Sequence, residues 1–291
     1  MIVITGATGQ LGRLVIAKLL AAGVAADDIV AAARAPERAA DLAAQGVRVR
    51  EADYDRPDTV AAALAGADAV LLVSASEVTR RREEQHRVVI DAAVDAKVGL
   101  LAYTSILGGD NATQRLAEAH QATEPLVRES GLDHVILRNG WYTENYTEHL
   151  APALAHGVIV RSAGPGARVA SATRAEYAEA AAAVLLAGSA DRRPVYELSG
   201  DTAWSMAELA DEVSRQAGRA VGYRQVSPEE HRAILVGAGI PGPAADYLVD
   251  ADAATDRGEL AATPGELSKL IGRPTAPLAD AVAAALRELT R

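Results

Sequence analysis

The chain has 291 residues, a hydrophobic content of 49%, a formal net charge of −10 at pH 7 and no cysteine. These values exclude disulfides, thiolate catalysis and cysteine-ligated metals, and no other metal-ligand spacing is present, so we expect no metal. The negative charge disfavours nucleic acid, and no apolar run reaches the roughly 18 residues of a membrane span, so we expect a cytoplasmic protein that binds a small molecule and neither nucleic acid nor membrane.

A strand, a glycine turn and a helix open the chain. Ile2, Val3 and Ile4 form a β-branched run, which is typical of a central strand in a parallel sheet. The next residues read G-x-x-G-x-x-G, and RLVIAKLLAAG then has helical spacing. Glycines at this junction permit a tight turn, and the helix N-terminus offers N–H groups to phosphates. We predict that a dinucleotide binds along Gly6, Ala7, Thr8, Gly9, Gln10, Leu11 and Gly12.

Further strands and helices alternate up to about residue 150. We predict strands in DDIVAAAR, AAQGVRVREADY, the strongly apolar ADAVLLVSAS, VGLLAYTSI and LDHVILRNG, with helices that include EQHRVVIDAAVDAK and RLAEAHQATEPLVRES. This alternation predicts an α/β fold with a Rossmann-type doubly wound parallel sheet, whose ligands bind beyond the carboxyl ends of the strands. We predict a cofactor-binding domain over 1–150 and a smaller, mostly helical substrate-side lobe over 151–291, with some segments returning to the main sheet.

Residues at the ends of the second and third strands bear on the identity of the dinucleotide. Arg34 stands where an NAD-specific protein usually places Asp or Glu, and an arginine there suits the 2′-phosphate of NADP. The alternative is an ordinary surface arginine. Asp53 and Tyr54 are placed to flank the adenine, although a plain turn explains them equally well. We therefore predict NADPH as the cofactor.

Small and hydroxylated residues end the fourth and fifth strands. The fourth strand is followed by three small residues that allow close backbone approach to a cofactor, namely Ser74, Ala75 and Ser76. The fifth strand ends with three hydroxylated residues, Tyr103, Thr104 and Ser105. Their hydroxyls are placed to reach the nicotinamide ribose or a substrate oxygen. The alternative is that they cap the next turn.

The loop RNGWYTENY follows the sixth strand in a chain with only 3% aromatic residues. Asn139, Trp141, Tyr142 and Asn145 offer stacking surface and amide hydrogen bonds. We predict a functional role for this loop; the alternative is that its rings only pack between lobes.

Several motifs are distributed across nearly the whole chain, namely GATGQLG, SASEV, QHR, AYTS, RNGWYTENY, ASATRAEYA, VYELSGDTAW and SKLIG. Together they resemble the NmrA-like atypical short-chain dehydrogenases, and within them the NADPH-dependent quinone oxidoreductases of type 2. The resemblance implies that NADPH binds along residues 6–11, at Arg34, at residues 74–76 and through Asn139, Gly140, Trp141 and Tyr142. It also implies that a quinone enters near the nicotinamide, and it leaves a homodimer open.

The chain departs from the wider superfamily at the catalytic acid. Leu116 and His120 occupy the places of the usual Tyr-x-x-x-Lys pair. A quinone accepts hydride readily, and its reduced oxygen has a pKa of about 10, near that of a phenol, so it needs little acid assistance. Catalysis would then need only the positioning of the quinone over C4 of the nicotinamide, hydrogen bonds to the reduced oxygen and a proton from water. The candidate donors of these hydrogen bonds are Asn139, Tyr103, Tyr142 and His120. His86, a lone histidine in a predicted helix, is expected to be structural.

Two functions of different classes remain. The favoured one is an NADPH-dependent reductase of quinones or similar conjugated electrophiles. The alternative is a non-enzymatic NADP(H) sensor of the NmrA-like type, which the missing Tyr and Lys favour. A sugar epimerase or ketoreductase is disfavoured by Leu116.

Overall fold

The computed structural model describes residues 1–75 and 82–289, and within them the chain forms two compact units. The first unit comprises Met1–Asp110, Ala117–Asn139 and Arg174–Glu197, and the second comprises Asn111–Leu116, Gly140–Thr173 and Leu198–Arg291. Residues 140–173 belong to the second unit and residues 174–197 to the first, and the division into a cofactor-binding domain and a substrate-side lobe at about residue 150 stays a prediction.

Strands and helices are numbered in chain order. The strands are β1 (Ile2–Ile4), β2 (Ile29–Ala33), β3 (Arg48–Glu51), β4 (Ala69–Leu72), β5 (Leu100–Ile106), β6 (His134–Asn139), β7 (Val158–Arg161), β8 (Arg168–Val169), β9 (Val195–Leu198), β10 (Trp204–Ser205) and β11 (Gly222–Gln225). The helices are α1 (Gln10–Ala21), α2 (Ala40–Ala44), α3 (Pro57–Leu64), α4 (Arg82–Asp95), α5 (Ala117–Glu129), α6 (Glu144–Thr147), α7 (Leu150–His156), α8 (Arg174–Leu186), α9 (Met206–Ala217), α10 (Pro228–Gly237), α11 (Gly242–Asp256), α12 (Glu266–Ile271) and α13 (Leu278–Leu289).

The described residues of the main sheet form seven strands in the order β3-β2-β1-β4-β5-β6-β9. β1 is central, as predicted, with Ile2 paired in parallel to Ile29 on one side and to Ala69 on the other. The strands β2, β4 and β5 are buried along their whole length, which explains why their sequences are continuous apolar runs. The strand order and the flanking helices confirm the predicted Rossmann-type fold.

β5 lies within the run VGLLAYTSI that predicts it, and it ends at Ile106 as that run does. Tyr103, Thr104 and Ser105 directly precede this last residue. All three pair with residues of β6, in a register that matches Tyr103 to Ile136. The parallel ladder with β6 therefore includes these hydroxylated residues.

The second unit is mainly helical, with two small sheets: β7 pairs in parallel with β11, and β8 pairs antiparallel with β10. Its core includes Tyr146 and Trp204, whose rings meet edge to face at 4.9 Å between centroids. A capping box formed by Ser205 and Glu208 starts α9. Among the described helices, none combines the length and the apolar character needed to cross a membrane.

Candidate cofactor-binding site

The turn between β1 and α1 is closed by the backbone of its glycines. Gly6 adopts a φ of +58°, and the Gly9 N–H donates to the Gly6 carbonyl at 2.9 Å. A Cβ on Gly12 would lie 2.5 Å from that same carbonyl oxygen and 2.9 Å from the Ala7 Cα. Position 12 therefore requires glycine, because the first turn of α1 packs directly on the loop.

The N-terminus of α1 is suited to an anion. Gly9 is its N-cap and supplies no side-chain cap, and no acidic residue lies in the first turn. Gly6, Gly9 and Gln10 are exposed, whereas Ala7 and Leu11 are buried. The N–H groups of the first turn and the positive end of the helix dipole therefore face a solvent-accessible turn. This turn fits a diphosphate, and a contact of the buried Ala7 or Leu11 with the cofactor stays a prediction.

Two arginines lie at or near the end of β2: Arg34 follows the strand, and Arg13 on α1 contacts the segment beyond it. Arg34 is the first residue after the strand and is exposed, as the prediction of a 2′-phosphate contact requires. Arg13, in the first turns of α1, donates to the carboxylate of Asp41 at 2.6 Å and to the Arg38 carbonyl. Arg13 thereby ties α1 to the segment that follows Arg34.

The residues after β3 are engaged within the protein. The Asp53 carboxylate accepts the Asp55 N–H at 3.1 Å and pairs with Arg56 at 3.4 Å. The Tyr54 hydroxyl donates to Thr5 Oγ1 at 2.7 Å, and burial raises the pKa of Tyr54 to about 12. These bonds favour the plain-turn alternative for Asp53, and an adenine contact by either residue stays a prediction.

Small residues follow β4, and Ser74 and Ala75 are half-buried there. Ser76 lies outside the described residues.

The hydroxyls of β5 point into the first unit. Tyr103 is fully buried, and its hydroxyl lies 2.7 Å from His120 Nδ1. Burial raises the pKa of Tyr103 above its ordinary value and lowers the pKa of His120 to about 4, so both are neutral at pH 7. Ser105 donates to Glu124 Oε1 at 2.7 Å. Since these groups already have partners inside the protein, a contact of Tyr103, Ser105 or His120 with a ligand stays a prediction.

Asn139, the last residue of β6, carries an unused acceptor. The residue is 6% exposed, and its Oδ1 has no hydrogen-bond partner among the described residues. A buried carbonyl oxygen without a donor is costly, which indicates that a ligand supplies one. The carboxamide of a nicotinamide ring has such a donor, so the residues present fit this cofactor.

A buried ion-pair cluster stabilises the end of β6. Arg138 pairs with Glu124 at 2.7 Å and with Glu197 at 2.8 Å, and a Cβ on Gly109 would collide with the Arg138 guanidinium. Burial raises the pKa of Glu124, but the hydrogen bonds from Arg138 and Ser105 outweigh it and hold that pKa below the ordinary value. The sequence pattern did not predict this cluster, although an arginine inside an apolar strand is a signal for it.

The remaining predicted residues lie in the second unit. Gly140 donates its N–H to the Leu198 carbonyl at 2.7 Å, and Tyr142 forms an isolated parallel bridge with Ala172. Trp141 is half-buried, and its indole N–H is buried with no partner among the described residues. Within its own unit, Trp141 therefore offers one unused donor to a ligand.

Comparison with known proteins identifies the family. The chain belongs to the NAD(P)H-binding family, whose model matches residues 6–187. It is 46% identical over 282 residues to quinone oxidoreductase 2 of Escherichia coli strain K12, with 97% of each chain covered.

Solved structures agree with this assignment. The NADPH-dependent quinone oxidoreductase of Escherichia coli in complex with NADPH superimposes with a TM-score of 0.92 at 45% identity, covering 98% of this chain and 100% of that one. The triphenylmethane reductase of Citrobacter sp. complexed with NADP(H) gives a TM-score of 0.91 at 38% identity, covering 98% and 100%. The resemblance drawn from the sequence motifs is confirmed.

Proposed function

We propose that the protein is an NADPH-dependent oxidoreductase that reduces quinones or similar conjugated electrophiles. The observation that carries this proposal is the tight glycine turn at the N-terminus of α1, in a chain that matches a quinone oxidoreductase over 97% of its length. The match to a structure complexed with NADPH supports the choice of cofactor. When bound, NADPH supplies the hydride.

Different residues of the chain bind different parts of the cofactor. The turn over residues 6–12 and the first N–H groups of α1 bind the diphosphate. Arg34 meets the 2′-phosphate with a charge-assisted contact. The Oδ1 of Asn139, which has no hydrogen-bond partner within residues 1–75 and 82–289, accepts a hydrogen bond from the carboxamide and orients the nicotinamide.

The chemistry requires no tyrosine acid. Leu116 and His120 occupy the positions of the usual pair, and burial keeps His120 neutral at pH 7. A reduced quinone oxygen has a pKa of about 10, so at neutral pH it takes a proton from water without a dedicated acid. The indole N–H of Trp141 and the hydroxyl of Tyr142 are the donors proposed to stabilise the negative charge on that oxygen.

The test is the oxidation of NADPH, followed by absorbance with and without a simple benzoquinone and corrected for the uncatalysed reaction. We expect quinone-dependent oxidation that is faster with NADPH than with NADH. Tight binding of NADPH without turnover across several quinones would contradict the proposal and favour a sensor. The replacement of the Tyr and Lys pair is the observation that favours this second candidate.

A cytoplasmic location and a homodimer belong to the same proposal. NADPH is an intracellular metabolite, which supports the location. Exposed apolar side chains such as Leu186, Ile234 and Val236 offer surface for association. Light scattering of the purified protein measures its mass, and the mass of one chain would contradict the dimer.

A further inference from the structure

Three successive backbone N–H groups directly after β4 donate to three side chains of the first unit. The hydrogen bonds are Val73 N to Thr5 Oγ1 at 3.1 Å, Ser74 N to Thr104 Oγ1 at 2.9 Å and Ala75 N to His86 Nε2 at 3.0 Å. We call these three bonds the β4 clamp. The accepting side chains are all buried and come from three places in the chain: the end of β1, β5 and α4.

The orientation of His86 is fixed by a chain of hydrogen bonds. Because the Ala75 N–H donates to Nε2, the ring proton is on Nδ1, which donates to Thr123 Oγ1 at 2.8 Å. The Thr123 hydroxyl then donates to the Ala119 carbonyl at 2.7 Å. His86 therefore connects the end of β4 to α5 through groups whose donors and acceptors are all matched.

His86 also remains an acceptor at neutral pH. It is fully buried, and its ring meets that of Tyr103 edge to face at 5.4 Å between centroids. Burial, followed by electrostatic repulsion from His120 and then from Arg82, lowers the pKa of His86 to about 3. The lone pair on Nε2 is thus available to the Ala75 N–H throughout the physiological range.

The β4 clamp decides which groups this segment offers to a ligand. Its N–H groups are occupied inside the protein, so carbonyl oxygens and side chains remain for the ligand. Such a segment suits hydrogen-bond donors, such as ribose hydroxyls, and does not suit a phosphate. It borders the glycine turn, because a Cβ on Gly6 would lie 3.5 Å from the Val73 Cβ, and Thr5 directly precedes Gly6.

We propose that His86 is a positioning residue for the cofactor: through the Ala75 N–H it holds the segment after β4 in place beside the glycine turn. The inference rests on the proposed NADPH binding and goes beyond it, because His86 need not touch the cofactor. It also revises the expectation from the sequence that His86 has only a structural role.

The test compares His86→Phe, which keeps a ring but loses the acceptor, with His86→Gln, whose amide oxygen restores one. Hydrogen exchange of the Ala75 N–H is measured without cofactor, and the Kd for NADPH is measured by titration. We expect His86→Phe to speed exchange at Ala75 by about tenfold and to raise the Kd by about tenfold. His86→Gln should return both values to within about threefold of the native ones.

Val127→Ala is the matched control, because Val127 is fully buried in α5 and makes no hydrogen bond through its side chain. It should lower the melting temperature and leave the Kd for NADPH unchanged. A native Kd in His86→Phe, or an equal rise of the Kd in Val127→Ala, overturns the inference. If the unmodified protein does not bind NADPH, the proposed function fails; faster exchange at Ala75 would then leave His86 a structural role only.

Discussion

Arg34 is the residue that we propose to recognise the 2′-phosphate of NADPH. It is exposed directly after β2, where a guanidinium meets a 2′-phosphate without rearrangement of the strand. Arg34→Ala should raise the KM for NADPH by about tenfold or more, since it removes roughly 1.5–3 kcal/mol of binding. Steady-state kinetics with varied NADPH measure the change.

NADH provides the control within the same variant, because it lacks the 2′-phosphate. Its KM should stay within about twofold of the native value, and Arg34→Lys should recover part of the NADPH preference. If Arg34→Ala keeps the native ratio of the two KM values, Arg34 does not recognise the phosphate.

The position of a residue on a strand or turn is easier to predict from the sequence than the burial of its side chain. The sequence predicts the glycine turn and the strand-end position of Arg34, since both follow from a local pattern of strand, turn and helix. It also predicts that Tyr103 lies on the fifth strand. It does not show that Tyr103 is fully buried against His86 and His120, because those contacts join residues distant in sequence.

Among the elements, the contact of α1 with the turn before it sets the shape of that turn. Gly12→Ala places a methyl group against the Gly6 carbonyl and the Ala7 Cα, both of which are backbone atoms that cannot rotate away. We expect a loss of about 1–3 kcal/mol in the free energy of unfolding. We also expect the Kd for NADPH to rise by about tenfold, because the turn must shift. Thermal unfolding and NADPH titration measure the two effects.

Gly237→Ala is the comparison for this substitution. Gly237 ends α10, and a Cβ there would meet nothing within 4 Å. The same change of residue should therefore be neutral or stabilising, with native affinity for NADPH. Equal effects of the two substitutions would show that the cost at position 12 does not come from the packing of α1 on the turn.

The strands of the main sheet show which pairings a local sequence pattern predicts and which it does not. Five of the strands β1 to β6 follow from apolar runs, β3 with its polar sequence RVRE follows from its place in the alternation of strands and helices, and the structure confirms all six. β9 lies beside β6 at the edge of the sheet, yet a long segment of the second unit and the helix α8 separate the two strands along the chain. Its pairing depends on tertiary contacts such as the Ile136 N–H donating to the Pro194 carbonyl at 2.8 Å, which no local pattern records.

At the scale of the whole molecule, the absence of phenylalanine has a structural consequence. The chain contains no Phe and eight Tyr, and Tyr103 is among its largest fully buried side chains. A buried tyrosine needs a partner for its hydroxyl, which Phe would not. His120 lies in hydrogen-bonding distance of that hydroxyl, so the core of the first unit contains polar groups that titrate.

The stability of the protein should therefore depend on pH in a window set by its buried histidines. Burial lowers the pKa of His86 to about 3 and of His120 to about 4, from an ordinary value of 6.5. Between the folded pKa of each histidine and its ordinary pKa of 6.5, the unfolded chain binds a proton that the native protein does not. The free energy of unfolding therefore falls as the pH falls below 6.5. At pH 5 each histidine should account for a loss of about 2 kcal/mol relative to pH 7.

Urea unfolding at pH 7 and pH 5 measures this dependence. His120→Gln removes one of the two groups, so its stability should fall by about 2 kcal/mol less between the two pH values than that of the native protein. The variant is compared with itself at both pH values, which cancels any loss of stability that the substitution causes at pH 7. Carboxylates such as Glu124, whose pKa is lowered from 4.5, change the stability mainly below pH 4.5, which is outside the compared range of pH 5 to pH 7. Equal pH dependence in the native protein and in His120→Gln would mean that His120 is protonated in the folded core, with its hydrogen bond to Tyr103 rearranged.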